Sequence, residues 1–361
     1  MKISKNHSIL ALGADIKSRY CVIKDNRLIL SKDFGNLDEY DNLEQFQSSI
    51  SRLKTRFKTV AFDSHPGYFS SGLADSINAK KKISVQHHHA HIAAALSVQQ
   101  IKGPVIGVAF DGTGYGTDGN IWGGEFMVAD ASSFRRVAHF QYLGMPGAEL
   151  VVKEPWRMAF SLLYNCFGEE VFEQDLELLK LYPRMYYNIL SKMLKQNINS
   201  PLTSSVGRLF DAVSSILGVC HKVKYEAEAA VQLEKLASKS KESSYYHFDV
   251  MEKDGVRLIS HHTMVKRILS DMKNGLPKED IARKFHNSLS VNAAKLINRI
   301  GQEYNLEDVV LSGGVFVNRL LFDSLSKKIR EMGYNLIIDA KVPVNDLSIC
   351  LGQAYIALQK K

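Results

Sequence analysis

The segment VQHHHAHIAAAL carries four histidines within five positions, His87, His88, His89 and His91. The apolar run behind them predicts a helix that starts here, and on a helix residues four apart share a face. His87 and His91 can then present two imidazoles to one divalent ion, as in the helical HExxH arrangement. The glutamate of HExxH is absent, which separates this segment from zinc proteases. The competing reading is a polar helix face that binds nothing. His88 and His89 point away from the His87–His91 face and suit supporting or surface roles. Two imidazoles make an incomplete shell, so carboxylates are sought where strands end. Asp111 in FDGTGYG and Asp346 in VPVNDLS both stand at such places, although Asp346 equally suits the N-cap of the last helix.

Glycine turns form a second kind of site. DGTGYG after a strand, and LSGGVFVN between a strand and a helix, let backbone N–H groups approach an anion. Neither is a P-loop or a GxGxxG fingerprint. With Lys17 in the matching turn of the first half, they outline a nucleotide cleft. GRLFDA adds Arg208 and Asp211, a carboxylate able to hold a ribose diol or, alternatively, to sit on a solvent-facing helix position. Asp63, His65 and Tyr68 in FDSHPGY can orient a substrate. Lys153 and Arg157 flank Glu154–Pro155–Trp156 at a helix start, and either grip an anionic substrate or lie on the surface beside the tryptophan.

The elements that position these groups repeat. Residues 9–35 and 105–130 each begin with an apolar strand, reach a Gly/Asp turn, and continue into strands joined by a polar turn, residues 24–26 and 117–120. This predicts a duplicated lobe. Residues 41–59 read as an amphipathic helix, TVAFD and KISVQ as strands. Between about 150 and 300 helical periodicity dominates, in WRMAFSLLYNCF, EEVFEQDLELLKLY, YYNILSKMLKQ, GRLFDAVSSILGV and EAEAAVQLEKLA, with one hairpin around Asp254–Gly255. Strand–helix alternation then returns to the end of the chain.

Composition narrows the class. The 361 residues are 45% hydrophobic and 23% charged, ordinary for a globular protein with room for two domains. No run reaches the roughly 18 apolar residues that span a bilayer, and the start lacks the apolar stretch of a signal peptide. The four cysteines form no CxxC pair and read as reduced thiols of a cytoplasmic protein. The net charge of +8 favours an anionic partner, but the basic residues are dispersed without interleaved aromatics, which argues against a nucleic-acid platform.

QHHHAHIAA, FDGTGYGTDGNIWGGEF, EPWRMA, SSVGRLFDAV, LSGGVFVNRLL and the VPVND…LGQA ending together resemble the C-terminal carbamoyltransferase domain of the HypF family of [NiFe]-hydrogenase maturation. That domain is similar to the tRNA threonylcarbamoyl transferase TsaD. The resemblance implies an α/β, two-lobed actin/sugar-kinase/Hsp70-like fold, RNase H-like and duplicated. Residues 1–103 would form the first lobe, with the final helix 346–361 packing back on it. Residues 104–345 would form the second, with a largely helical insertion at about 145–285. It implies metal ligands His87, His91, Asp111 and Asp346, with iron or zinc, and nucleotide contacts at Lys17, Gly112, Thr113, Asp211, Gly313, Gly314 and Asn318, to which the reading of GRLFDA adds Arg208. The bound nucleotide would be ATP, AMP or carbamoyl-adenylate, made by a YrdC-like protein. The acceptor would be the C-terminal cysteine of a HypE-like protein; a small molecule, a tRNA or a non-catalytic scaffold role are the alternatives. Groups placed to act on substrate are Lys17, His65, His88, Lys153 and Arg157; the base is left open among His88, His65 and the metal-bound environment. Departures are Ala148–Glu149 within the usual GGD, Lys153 before EPWR, and YEAEAA for YEGQAA, which puts Ala227 where a glycine is expected. The acylphosphatase, zinc-finger and YrdC-like domains of full-length HypF have no counterpart here.

Overall fold

A computed structural model describes residues 7–25, 27–99, 101 and 103–360. The chain opens with β1 (Ser8–Ala11), β2 (Cys21–Lys24), β3 (Arg27–Leu30), α1 (Tyr40–Ser51), β4 (Thr59–Asp63), α2 (Phe69–Ser76), β5 (Lys81–Val85) and α3 (His87–Gln99). These strands form one sheet in the order β3-β2-β1-β4-β5. β1 is antiparallel to β2 and parallel to β4. The second lobe starts with β6 (Val105–Tyr115), β7 (Ile121–Ala129) and β8 (Phe134–Phe140). It then diverts through β9 (Leu143–Gly144), α4 (Leu150–Lys153), α5 (Pro155–Phe167), α6 (Arg184–Gln196), β10 (Leu202–Thr203), α7 (Val206–Ile216), α8 (Glu228–Ala237), β11 (Asp249–Lys253), β12 (Val256–Ser260) and α9 (His262–Lys273). The lobe resumes with α10 (Lys278–Tyr304), β13 (Asp308–Ser312), α11 (Arg319–Glu331), β14 (Asn335–Ile337) and α12 (Ile349–Gln359).

The core of the second sheet, β8-β7-β6-β13-β14, repeats the order of the first. β6 is antiparallel to β7 and parallel to β13, as β1 is to β2 and β4. This is the duplicated two-lobed fold of the actin/sugar-kinase/Hsp70 type. The helix after each fifth strand crosses over: α3 packs on β6, β7 and β13, and α12 packs on β1, β2 and β4. One apolar cluster consequently joins Ile9, Ala11 and Ile83 to Ile92, Val310, Ile349 and Ile356, so the lobes share a core. The central strands, such as β13 with DVVLS, are buried on both faces and read as continuous apolar runs.

Four local expectations are corrected. The polar turns at 24–26 and 117–120 are not equivalent: the first joins β2 to β3 and the second joins β6 to β7. (Asn26 lies outside the described residues.) The true counterpart of 117–120 is the loop from Leu12 to Tyr20, which departs to cap α2: Asp15 accepts from Phe69 N at 2.6 Å and Ser70 N at 2.9 Å. DGTG is no turn but part of β6, whose pairing with β7 shifts register between Phe110 and Gly114. Helix α1 stops at Ser51: Lys54 takes a φ of 24°, outside the helical region, and Phe57 reaches the lobe core from the connection to β4. EEVFEQDLELLKLY forms two 3₁₀ turns, the first beginning at Gly168 with φ of 57°, a left-handed setting that ends α5.

Two buried histidines in this scaffold should make it acid-labile. Burial depresses His286 to about 4 and His261 to about 3. His286 donates Nδ1–H to Ala282 O at 2.8 Å, and its Nε2 accepts from Asn318 at 3.0 Å, so the neutral ring fits its site. A depressed histidine contributes stability that is intact above its ordinary pKa and is lost as pH falls toward the folded value. Urea unfolding should therefore lose about 1.4 kcal/mol per pH unit per histidine between about pH 6.5 and about pH 4. His286→Gln should reduce that slope by about one proton; an unchanged slope would contradict the assignment.

Candidate metal centre

The crossing of α3 and α12 brings the ligand elements together. α3 projects His87 and His91 from one face, β6 delivers Asp111 where its pairing breaks, and Asp346 opens the turn before α12. The four donor atoms lie within 4.8 Å of one another. His87 Nε2 is 3.3 Å from Asp111 Oδ2 and 3.9 Å from Asp346 Oδ1. His91 Nε2 is 3.4 Å from each of those carboxylates. Ligands about 2.0–2.2 Å from a tetrahedral ion stand about 3.3–3.6 Å apart, so the spacing suits one. His87 Nε2, His91 Nε2 and Asp111 Oδ2 are buried and have no hydrogen-bond partner. Buried polar atoms are rarely left so, and the residues fit a divalent cation.

Neighbouring groups fix the rings. Asp63, at the end of β4, accepts from His87 Nδ1 at 2.7 Å, which turns Nε2 toward Asp111. His91 Nδ1 meets Ser312 Oγ at 3.2 Å, and Ser312 in turn donates to Val344 O. Burial alone would discharge both rings, yet Asp63 and Asp111 outweigh it for His87, and Asp111 with Asp346 for His91; both are held above their ordinary pKa. Burial would likewise raise Asp111, but the two imidazoles hold it well below the usual carboxylate range. Sequence reading gave Asp63 a substrate role. Its place behind His87 depends on pairing of β4 with β5, and β5 runs into α3.

The glycine turns also brace this centre. The amides of Gly112 and Gly314 both donate to Asp111 Oδ1, at 2.8 and 3.0 Å, and Gly313 N donates to Val344 O at 2.7 Å. The Gly112 and Gly314 amides orient the Asp111 carboxylate, and the Gly313 amide holds the loop. Gly313 is required by close approach: its φ is 108°, and a Cβ there would lie 2.2 Å from Phe110 O. Thr113 lies half-buried on the bulge. Asn318 is committed as the N-cap of α11, accepting from Leu321 N at 2.9 Å. Arg208 and Asp211 are both buried and paired with each other at 2.8 Å, so neither sits on a solvent-facing helix position.

Lys17 reaches across to the second lobe, its Nζ 2.6 Å from Glu226 Oε1. Its loop is pinned by Gln353 of α12, which accepts from Gly13 N at 2.8 Å and donates to Gly13 O at 3.0 Å. Lys153 is exposed at the end of α4. Arg157 is spent on Glu154 and on the Trp156 ring. Among the described residues no hydrogen bond or ion pair joins either to the four ligands. His65 stacks on Tyr68 with centroids 4.1 Å apart, and its Nδ1 accepts from Gly67 N at 3.1 Å. His88 Nδ1 is likewise an acceptor, from Gln86. Both rings thus carry their proton on Nε2, an assignment made from partners. His88 and His89 are buried, not on the surface.

Ala227, where the sequence departs from glycine, has φ of 59°. A left-handed alanine is strained by about 1–2 kcal/mol, more than the roughly 0.4–1 kcal/mol that glycine adds to the entropy of the unfolded chain. Ala227→Gly should therefore raise stability by up to about 1 kcal/mol. A denaturation midpoint that stays put or falls would refute this.

Comparisons with known proteins agree with the fold. Residues 4–97 match the HypF Kae1-like domain and residues 107–353 match "Carbamoyltransferase, Kae1-like Domain, second subdomain". The chain is 31% identical to the Synechocystis carbamoyltransferase HypF, covering 98% of this chain and 47% of that protein. It is also 31% identical to a carbamoyltransferase HypF homolog of Cupriavidus necator, covering 99% of this chain and 93% of the homolog. A crystal structure of full-length HypF in a phosphate- and nucleotide-bound form superposes with a TM-score of 0.94 at 37% identity, over 99% of this chain and 56% of that one. The chain spans about half the length of the first curated relatives it matches. No helix among the described residues is long and apolar enough to cross a membrane. With both lobes matched in order, this chain belongs to the HypF carbamoyltransferase family.

Proposed function

We propose that this chain transfers a carbamoyl group from carbamoyl-adenylate, made by a YrdC-like protein, to the C-terminal cysteine thiol of a HypE-like acceptor. The observation that carries the reading is the convergence of four donor atoms, three of them buried and unpartnered, where the two lobes meet. His87, His91, Asp111 and Asp346 would hold iron or zinc. When bound, the ion supplies Lewis acidity toward the carbonyl or phosphate oxygen of the donor. Asp63 keeps His87 Nε2 available, and the Gly112 and Gly314 amides keep Asp111 Oδ2 turned the same way. Lys17 supplies the phosphate contact by exchanging Glu226 for the nucleotide; an exposed pair of this kind is worth at most about 1 kcal/mol and yields readily. A full-length HypF relative has been solved in a phosphate- and nucleotide-bound form, which supports nucleotide binding by the family. Shared positioning of donor and acceptor then supplies much of the rate.

The test combines labelled carbamoyl phosphate, ATP, a YrdC-like protein and a HypE-like acceptor, with and without this chain. Label should reach the acceptor only when the chain is present. Equal labelling in its absence would overturn the reading.

A further inference from the structure

His88 stands beside the metal ligands but is not one of them. Its ring centroid is 5.4 Å from that of His87 and 6.4 Å from that of His91. It is fully buried, and its Nε2 has no hydrogen-bond partner. The other nitrogen is fixed. Gln86 Oε1 accepts from His89 N at 2.8 Å and Gln86 Nε2 donates to Tyr115 O at 3.0 Å, which sets the direction of the amide. The same Nε2 then donates to His88 Nδ1 at 3.1 Å. His88 must therefore carry its proton on Nε2, the nitrogen without a partner.

That N–H edge faces the bulge of β6. A Cβ on Gly114 would fall 2.4 Å from His88 Cε1 and 3.0 Å from Nε2, so only glycine lets β6 pass this close to the ring edge. The bulge is the one that delivers Asp111 to the metal centre. A buried donor without an acceptor costs about 1–3 kcal/mol, and a fixed donor aimed at a reacting centre is the usual form of oxyanion stabilisation. The phosphate side of the donor has Lys17. What remains for an uncharged N–H is a carbonyl oxygen.

We propose that His88 Nε2–H donates a hydrogen bond to the carbonyl oxygen of the carbamoyl group during transfer, with Gln86 as the positioning residue that fixes its tautomer. The proposal rests on the carbamoyl-transfer reading above. In that step the acceptor sulfur forms a bond to the carbamoyl carbon, and the carbonyl π pair moves onto the oxygen facing His88. The pair returns as the bond from carbon to the phosphate oxygen breaks, and the nucleotide leaves with that oxygen. The thiol proton departs to solvent; His88 keeps its own.

The test compares wild type, His88→Phe and His88→Gln in the reconstituted transfer, with metal content and nucleotide binding measured on each. His88→Phe should keep metal and nucleotide affinity yet lose about 10²–10³ in kcat, with KM within a few-fold. His88→Gln, which restores an N–H, should recover part of the loss. Long-range ¹H–¹⁵N NMR on the wild type should show His88 as the Nε2–H tautomer. His88→Phe turnover within about fivefold of wild type per metal-loaded chain, or an Nδ1–H tautomer, would overturn this proposal alone. A wild-type chain that transfers to no acceptor would overturn the underlying reading and this proposal with it.

Discussion

Gly352→Ala is expected to unfold or loosen the junction of the lobes and to empty the metal site together. A Cβ at Gly352 would lie 1.9 Å from Ala90 O and 2.7 Å from Ala90 C. Both are backbone atoms of α3, so no side chain can move aside, and α12 must separate from α3. Ala90 stands directly before His91, and α12 follows Asp346 in the chain. The same displacement therefore pulls ligands apart. Overpacking of this kind costs about 1–3 kcal/mol or more. The matching control is Gly72→Ala on α2, where nothing lies within 4 Å of the new methyl group and alanine favours the helix. Urea unfolding and metal content should fall for Gly352→Ala and hold for Gly72→Ala. Normal metal retention in Gly352→Ala would show that the contact between α3 and α12 does not set the site.

Asp63→Asn is expected to weaken metal binding about 10- to 100-fold while leaving the fold close to wild type. The Asp63 carboxylate serves two donors, His65 N through Oδ1 at 2.9 Å and His87 Nδ1 through Oδ2 at 2.7 Å. An asparagine has one carbonyl oxygen for both, and its NH₂ can only face one of them. If the NH₂ faces His87 Nδ1, the ring proton moves to Nε2, the atom that would bind the ion. Chelator competition reads the effect directly. An affinity within twofold of wild type would remove Asp63 from the account.

How much of this could be read in the sequence depended on range. The four candidate ligands were nominated because two lie four apart on one helix and two stand beside glycine- or proline-containing turns, and the structure brings their donor atoms within 4.8 Å of one another. The duplicated lobe showed in the recurrent strand pattern, but equating residues 24–26 with 117–120 mistook similar polarity for equivalent topology. Sequence periodicity cannot reveal that one lobe uses a tight hairpin where the other sends a loop out to α2. The supporting bonds were invisible for another reason. Gln353 clamps Gly13 from 340 positions away, and Lys17 meets Glu226 across 209. Nothing local marks either partner. The glycines of LSGGVFVN stand out in the sequence as a turn, but the close approach to β6 at Gly313 and the Gly314 amide that aims the Asp111 carboxylate do not.

X-ray absorption at the metal edge of the purified chain, with stoichiometry measured on the same sample, addresses the central claim most directly. About one iron or zinc per chain is expected, in a shell of nitrogen and oxygen with scattering from two imidazoles, and His87→Ala/His91→Ala should abolish it. A chain that takes up neither metal under any preparation, or a shell without imidazole, would contradict the account.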